Sequence, residues 1–127
     1  KDVFKHYGWV YDTNKVKCTS MWSIINKKGS FNIEHIHSNN YLSAAYYVKA
    51  SQNCGRFQLE CPNIAKRHSY PEIAQQNELN VHVAGIEINE GDLLIFPGYM
   101  PHKVGRNESD EDRIVISFNV SILPIKK

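Results

Sequence analysis

The chain has 127 residues, which is long enough for one domain with a hydrophobic core and too short for two. Its formal charge of +2 and its 42% hydrophobic content are ordinary, and no dense Lys/Arg cluster indicates a nucleic-acid partner. No apolar run approaches the ~20 residues that span a bilayer, so the sequence predicts no membrane segment. The cysteines lack C-x-x-C spacing and are odd in number, which favours a reducing, cytoplasmic location over a disulfide framework: Cys18, Cys54 and Cys61.

Short β-rich segments separated by glycine, asparagine and proline make up most of the chain. In residues 1–17 the alternation of Tyr7, Trp9 and Tyr11 predicts an edge strand. The other predicted strands are Cys18–Asn26, Phe31–His37, Leu42–Lys49, Arg56–Cys61, Val81–Ile88, Asp92–Pro97, His102–Val104 and Arg113–Leu123. The stretch Pro62–Asn80 is irregular, and a short helix is predicted within it over Pro71–Glu78. This stretch is either a functional loop, such as a lid or a binding loop, or a mobile surface segment. This pattern indicates an all-β barrel or sandwich.

Two histidines one residue apart, His35 and His37, are the most informative feature of the chain. Alternate residues of a strand project from the same face, so the two imidazoles are expected side by side. A third imidazole, from His102 after a later apolar strand, completes a three-ligand facial metal site with open coordination positions. Such a site is typical of a reaction centre. The remaining histidines lack this context and are predicted to be structural: His6, His68 and His82.

The last predicted strand has two dissimilar faces. Its apolar face, which predicts packing into a core, consists of Ile114, Ile116, Phe118 and Val120. The opposite face carries Arg113 and Ser117, whose guanidinium and hydroxyl could together receive a carboxylate. If that face lines a barrel interior, it forms an anion receptor near the metal. The alternative is an exposed Arg113 that pairs with Glu111 or Asp112.

A resemblance to the Fe(II)- and 2-oxoglutarate-dependent oxygenases is carried by two segments, HIHSNNYLSAAYYVKASQNCGRFQLECP and EGDLLIFPGYMPHKVGRNESDEDRIVISFNV. In particular, the chain resembles small oxygenases of marine bacteria and their phages, relatives of the prolyl hydroxylases. The resemblance covers roughly Met21–Val120. It implies an all-β, cupin-like jelly roll (a double-stranded β-helix) with little helix. The implied reaction is oxidative decarboxylation of 2-oxoglutarate to succinate and CO₂, coupled to hydroxylation of a second substrate.

The resemblance also implies roles for individual residues. The implied catalytic Fe(II) ligands are His35, His37 and His102. Arg113 matches the basic residue that pairs with the distal carboxylate of 2-oxoglutarate. Tyr47 matches a tyrosine that binds the same carboxylate, and Ser117 falls where a hydroxyl is often offered nearby. Because strand neighbours point to opposite faces, only one of Tyr46 and Tyr47 faces the pocket, and we expect it to be Tyr47.

His37 stands where the best-known members of this family have Asp or Glu. Imidazole in place of the carboxylate raises the charge of an Fe(II) site by one unit and removes a hydrogen-bond acceptor. Glu34 cannot replace the lost carboxylate, because its position in the strand points it to the other face. Three imidazoles accept Fe, Ni, Cu or Zn.

Two other functions are compatible with the sequence. The spacing from Gly29 to the histidine pair, and from Gly91 through a proline to His102, is similar to the two cupin motifs. A cupin-type three-histidine dioxygenase of the thiol-oxidising kind, which does not use 2-oxoglutarate, is therefore the second hypothesis, although it leaves Arg113 unexplained. The third is a non-catalytic jelly roll that serves in binding or virion assembly.

We expect residues 1–127 to form a single jelly-roll oxygenase domain, or a fragment of one that lacks N-terminal elements. Its cofactor is Fe(II), its cosubstrate is 2-oxoglutarate, and its prime substrate is a small molecule or a peptide. No nucleic-acid or membrane partner is expected. A cytoplasmic location and a phage origin are further expectations, and the sequence makes no prediction of oligomeric state.

Overall fold

Short strands and turns form two four-stranded antiparallel sheets in the computed structural model, which describes residues 2–122. The strand segments are rich in β-branched and aromatic residues, which favour extended backbone. The elements in chain order are α1 (Asp2–His6), a 3₁₀ turn (Thr13–Lys15), β1 (Val16–Asn26), β2 (Asn32–His35), β3 (Leu42–Lys49), β4 (Phe57–Glu60), α2 (Ile64–His68), β5 (Val83–Ile86), β6 (Leu93–Pro97), β7 (His102–Val104) and β8 (Arg113–Ile122). None of the helices in residues 2–122 is long and apolar enough to cross a membrane.

The strand order is that of a jelly roll. One sheet runs β1-β8-β3-β6 and the other β2-β7-β4-β5, so most consecutive strands lie in opposite sheets. Side chains from both sheets meet in a core made of Ala45, Tyr47, Cys54, Phe57, Ile88, Phe96 and Val115. The predicted all-β, double-stranded β-helical class with little helix is confirmed.

Most predicted strands are present, several with shorter ends, while β1 begins two residues earlier than the predicted Cys18–Asn26. Leu42–Lys49 and His102–Val104 have the predicted bounds, whereas the strand predicted over Phe31–His37 is contracted to β2. It ends early because the backbone N–H of His37 donates to the carbonyl of Gly98 in a loop, at 2.9 Å, instead of continuing the ladder. Leu123, the predicted end of the last strand, lies outside the described residues.

The prediction for the core-facing side of β8 is wrong. Arg113, Val115, Ser117 and Asn119 are the buried residues of this strand, while Ile114, Ile116, Phe118 and Val120 are half-buried on the outer side of the sheet. The inner face of β8 lines a cavity that carries polar groups, so the apolar face packs outside it between the side chains of β1 and β3. The alternative of an exposed Arg113 is also wrong, because Arg113 is buried and Glu111 pairs with Lys49 at 3.3 Å.

The predicted N-terminal edge strand does not form. Residues 2–6 make the short helix α1, and the following aromatic residues have no strand partner among the described elements. Instead, the ring of Phe4 stacks on Tyr11 with centroids 4.9 Å apart, and Tyr7 stacks on Trp9 at 4.8 Å. Ring contacts within the segment therefore bury the aromatic surface that a strand would have presented to the sheet.

The helix predicted over Pro71–Glu78 is also wrong. A helix forms earlier, at Ile64–His68, where the Asn63 side chain caps it by accepting the N–H of Lys66 at 3.2 Å. In the predicted segment, Asn side chains bind the local backbone instead: the N–H of Asn77 donates to Oδ1 of Asn80 at 2.7 Å. Such local bonds compete with helical ones and favour turns.

The connections between strands gather at two ends of the barrel. The histidine end comprises loops 36–41, 61–82 and 98–101, next to His35 and His102. The arginine end comprises loops 27–31, 50–56, 87–92 and 105–112, next to Arg113. The functional side chains predicted from the sequence therefore occupy both ends of one interior.

Gly55 brings two loops of the arginine end into contact, and we expect its replacement to be costly. Gly55 has a φ of +92°, and a Cβ on it would overlap the carbonyl oxygen of Gly105. Gly55→Ala should lower the free energy of unfolding by about 2 kcal/mol or more, measured by denaturant titration. Gly91→Ala is the matched control, since Gly91 has a φ of +89° but open space around its Cβ. Equal losses in the two variants would contradict the steric argument.

Candidate metal centre and its cavity

Three histidines converge at one end of the barrel interior. His35 ends β2 and is the cross-strand partner of His102, which begins β7, while His37 lies just beyond β2. One ring nitrogen from each of the three lies within 4.8 Å of the others, and the Nε2 atoms of His37 and His102 are 3.3 Å apart. The strand pairing of β2 and β7 thus brings together the residues that the sequence singled out. The other histidines lie outside this cluster.

The ring orientations fit a metal ion. Nδ1 of His35 lies 2.8 Å from the carbonyl oxygen of Ile33, and Nδ1 of His102 lies 2.9 Å from that of Met100. An Nδ1–H that donates to a carbonyl fixes the tautomer and leaves Nε2 with its lone pair free. This is the usual outer-sphere arrangement of metal-binding histidines. The residues present therefore suit a divalent transition metal with nitrogen ligands.

Two of the three histidines, His37 and His102, are held in the neutral form that binds metals. His102 is 3% exposed and lies between the rings of Phe57 and Phe96, at centroid distances of 5.4 and 4.6 Å. Burial, opposed by the hydrogen bond to the carbonyl of Met100 and assisted by the neighbouring His35 and His37, lowers the pKa of His102 to about 4. Burial, then His35, also lowers the pKa of His37. Near pH 7 neither the half-buried ring of His37 nor the buried ring of His102 has to lose a proton to become a ligand.

A cavity of about 200 Å³ connects the histidines to Arg113 at the other end of the interior. The guanidinium is 1% exposed, and it donates from Nη1 to the carbonyl oxygens of Cys54 and Gly105 (3.1 Å for Gly105). Its Nη2 lies 3.4 Å from Oδ1 of Asn32. No Asp or Glu lines this cavity among the described residues. A cation buried without an acidic partner is costly, which indicates that an anion belongs beside it.

The two hydroxyl residues predicted for the site both line this cavity. Tyr47 is 1% exposed, whereas Tyr46 points outward and is 40% exposed. Burial raises the pKa of Tyr47 despite the opposing effect of Arg113, so its phenol stays protonated and able to donate. Ser117 is buried on β8, two alternations beyond Arg113. Neither hydroxyl has a hydrogen-bond partner within residues 2–122, which leaves both available to a ligand.

Three cavity residues were missed from the sequence. Trp22 stacks against His37 with ring centroids 5.8 Å apart, Asn32 accepts from Arg113, and Asn26 lies across from Arg113 on β1. Strand alternation was the available signal for two of them, because Trp22, Ile24 and Asn26 recur at every second position of β1. An asparagine that ends an inward-facing run of large apolar residues marks a polar part of a cavity.

A charged cluster on the outside of the second sheet ties α2 to the histidine strands. Glu34 points away from the metal centre, as alternation predicts, and binds Arg67 of α2 through both carboxylate oxygens, at 3.1 and 2.9 Å. Arg67 also lies 3.2 Å from the buried carboxylate of Glu60, which pairs in turn with Lys103. Glu34 and Lys103 are the direct sequence neighbours of the candidate ligands His35 and His102. Arg67 therefore fixes loop 61–82 beside the metal centre.

Removing the positive charge of Arg67 should loosen loop 61–82. In Arg67→Gln we expect a glutamyl endopeptidase to cleave after the exposed Glu72 about fivefold faster, since roughly 1 kcal/mol of local stability is lost with the partly exposed ion pairs. Lys66→Gln, on the same helix but in no ion pair of the described residues, is the control and should match the wild type. Equal cleavage rates in wild type and Arg67→Gln would show that the cluster does not hold the loop.

Comparisons with known proteins agree with this geometry. The sequence family described as "Putative 2OG-Fe(II) oxygenase" matches residues 20–119. No curated protein sequence matches the chain. A 2OG-Fe(II) oxygenase family oxidoreductase from Burkholderia pseudomallei is similar in structure, with a TM-score of 0.66 and 11% identity over 94% of this chain and 48% of that one.

Two further solved structures have the same fold. A Pseudomonas putida prolyl-4-hydroxylase gives a TM-score of 0.57 at 16% identity, over 80% of this chain and 51% of its own. HygX from Streptomyces hygroscopicus, solved with nickel and 2-oxoglutarate bound, gives 0.63 at 13% identity, over 97% of this chain and 64% of its own. This chain thus spans about half to two thirds of the length of these structures. The match to the family covers most of the sequence, and the chain belongs to the 2OG-Fe(II) oxygenase family.

Proposed function

We propose that this chain is the catalytic jelly-roll domain of an Fe(II)- and 2-oxoglutarate-dependent oxygenase. The Fe(II) ligands would be His35, His37 and His102. Arg113, helped by Tyr47 and Ser117, would bind the distal carboxylate of 2-oxoglutarate. One observation carries the proposal: a single cavity has three convergent imidazoles at one end and, at the other, a buried guanidinium without an acidic partner among the described residues.

The hydrogen bonds of Arg113 leave room for a carboxylate. A guanidinium has five N–H donors. The structure uses three, of which two go to carbonyl oxygens and one to Asn32. Two donors are left, which is the number that a carboxylate accepts in a bidentate pair. Because the protein carbonyls already fix the position of the guanidinium, a carboxylate binds here with little further ordering.

The charge of the metal centre favours a dianionic cosubstrate. Three neutral imidazoles leave the +2 charge of the iron uncompensated, whereas an aspartate in place of His37 would reduce it to +1. Arg113 adds a further positive charge, and no acidic side chain lines the cavity within the described residues. The field in the cavity therefore attracts a dicarboxylate more strongly than a two-histidine, one-carboxylate site would.

When bound, iron and 2-oxoglutarate supply the oxidising chemistry. That chemistry would be the oxidative decarboxylation of 2-oxoglutarate to succinate and CO₂, coupled to hydroxylation of a C–H bond of the second substrate. The protein positions the reactants and excludes water from the site. Arg113 and the hydroxyl groups orient the cosubstrate, the three imidazoles fix the metal, and apolar rings such as Phe57 and Phe96 exclude water.

We propose that the second substrate is a small molecule or a peptide that enters at the histidine end. Loops 36–41, 61–82 and 98–101 surround that end, and loops of this kind commonly carry binding residues. Free cysteines at positions 18, 54 and 61 support a reducing compartment. Nothing in the charge distribution favours a nucleic acid.

The proposal is tested by anaerobic titration with Fe(II) followed by 2-oxoglutarate. We expect one equivalent of iron to bind and 2-oxoglutarate to produce a visible metal-to-ligand charge-transfer band. On admission of O₂, succinate should form. Iron binding without a response to 2-oxoglutarate would favour a three-histidine dioxygenase of another kind. Absence of metal uptake would instead favour a binding or assembly domain.

A further inference from the structure

We infer that Asn26 is a second recognition group for the distal carboxylate of 2-oxoglutarate, an inference that rests on the proposed function. Asn26 is the last residue of β1 and the cross-strand partner of Arg113, the first residue of β8. Directly opposed residues of an antiparallel pair project from the same face, with Cβ atoms about 4.5–5.5 Å apart. Both side chains line the same cavity. The amide therefore lies beside the guanidinium.

The carboxamide of Asn26 has no hydrogen-bond partner among residues 2–122. The residue is 7% exposed, and no hydrogen bond joins its side chain to any other described residue. Its backbone is held, because its carbonyl accepts from Nδ2 of Asn107 at 3.0 Å. Buried amides are nearly always hydrogen-bonded, since an unpartnered one costs free energy. A ligand acceptor in the cavity would satisfy it.

Asn119 shows what a purely structural buried asparagine looks like in this barrel. It is 6% exposed, its Oδ1 accepts from the hydroxyl of Ser43 at 2.8 Å, and its Nδ2 donates to that of Ser20 at 2.9 Å. It is satisfied on both sides and is not part of the cavity wall. Asn26 differs in both respects, so its donors are available to the contents of the cavity.

The position of Asn26 makes it a specificity group for dicarboxylates. A carboxylate has about four lone-pair sites, of which the two free donors of Arg113 occupy two. The amide of Asn26 supplies a further donor from the opposite strand. A 2-oxo acid without a distal carboxylate, such as 2-oxobutanoate, keeps the metal-chelating end and loses all of these contacts. Asn26 is thus expected to affect 2-oxoglutarate binding and to leave 2-oxobutanoate binding unchanged.

The test compares both acids in the iron-loaded protein. Wild type, Asn26→Leu and Asn26→Asp are loaded anaerobically with Fe(II) and titrated with 2-oxoglutarate and with 2-oxobutanoate, with the visible band as readout. We expect Asn26→Leu to raise the Kd for 2-oxoglutarate about tenfold or more and to change that for 2-oxobutanoate less than twofold. Asn26→Asp should weaken 2-oxoglutarate binding further, because two carboxylates would face each other.

Thermal unfolding of the metal-free protein separates this role from a structural one. Asn26→Leu should unfold at or above the wild-type temperature, since the amide that it removes faces the cavity and makes no hydrogen bond to the described residues. The control Asn119→Leu should unfold lower, because Ser43 and Ser20 lose their partner, and should keep the wild-type ratio of the two Kd values. An unchanged Kd for 2-oxoglutarate in Asn26→Leu, or equal weakening of both acids, would overturn the inference alone. A wild type that gives no band with 2-oxoglutarate would overturn the proposed function as well.

Discussion

Arg113→Leu is expected to weaken 2-oxoglutarate binding by between about 30-fold and a few thousandfold. The range corresponds to the roughly 2–5 kcal/mol that truncating one partner of a buried charge pair costs. Within residues 2–122, Arg113 is the one Lys or Arg side chain in the cavity wall, and two of its donors are free for a carboxylate. The measurement is the Kd for 2-oxoglutarate from the visible band of the Fe(II) complex. Iron affinity itself should be unchanged, since the metal ligands lie at the opposite end of the cavity.

The control for Arg113 is an arginine of the same barrel end that does not reach the cavity. Arg106 is exposed, donates to the carbonyl of Gly29 at 2.8 Å and lies over the ring of Phe31. Arg106→Leu removes the same charge from the same end and should change the Kd for 2-oxoglutarate less than threefold. If both variants lose affinity equally, the effect comes from the long-range field and not from a bidentate contact at Arg113.

The position of Arg113 also shows how far the sequence predicts this site. Strand alternation placed Arg113 and Ser117 on one face of the last strand, and both are in the cavity wall. The same alternation assigned the core to the opposite, apolar face, which is wrong. The rule that the apolar side faces inward assumes that the interior contains only protein. Here the inner face lines a ligand cavity, so polar residues point inward and Ile114 and Phe118 cover the outside.

Elements that depend on contacts distant in sequence were not predictable. The histidine pair was predicted from local geometry, because residues i and i+2 of an extended segment share a face. The two rings do lie close, with centroids 5.2 Å apart, although β2 ends at His35 and a contact with the distant Gly98 holds His37. By contrast, loop 61–82 is held by Arg67 on Glu34, a pair 33 residues apart in the sequence. The N-terminal aromatic residues likewise alternate as a strand would, yet they pack on one another. Periodicity describes a segment by itself and carries no information about its partner.

The second large effect is expected at the metal centre, where His102→Ala should reduce Fe(II) affinity by more than about 100-fold. Loss of an outer-sphere partner alone costs 10–100-fold, and His102 is an inner ligand in the proposal. Because its ring is buried between Phe57 and Phe96, the truncation also leaves a cavity and lowers the stability of the apoprotein. The measurement is therefore the rise in unfolding temperature when Fe(II) is added. For each variant this rise is taken relative to the same variant without metal. His68→Ala is the control and should keep the full rise.

His37→Asp changes the charge of the metal centre while it keeps the number of metal ligands at three. The variant restores two histidines and one carboxylate, so Fe(II) should still bind, whereas His37→Ala should lose most of its affinity. The positive charge of the iron site falls from +2 to +1, and the attraction for the dianionic 2-oxoglutarate falls with it. We therefore expect the Kd for 2-oxoglutarate to rise several-fold in His37→Asp, with Arg113 unchanged. Tighter binding of 2-oxoglutarate in His37→Asp than in the wild type would contradict this electrostatic account. It would mean that the carboxylate contributes more by accepting hydrogen bonds near the metal than it loses by its charge.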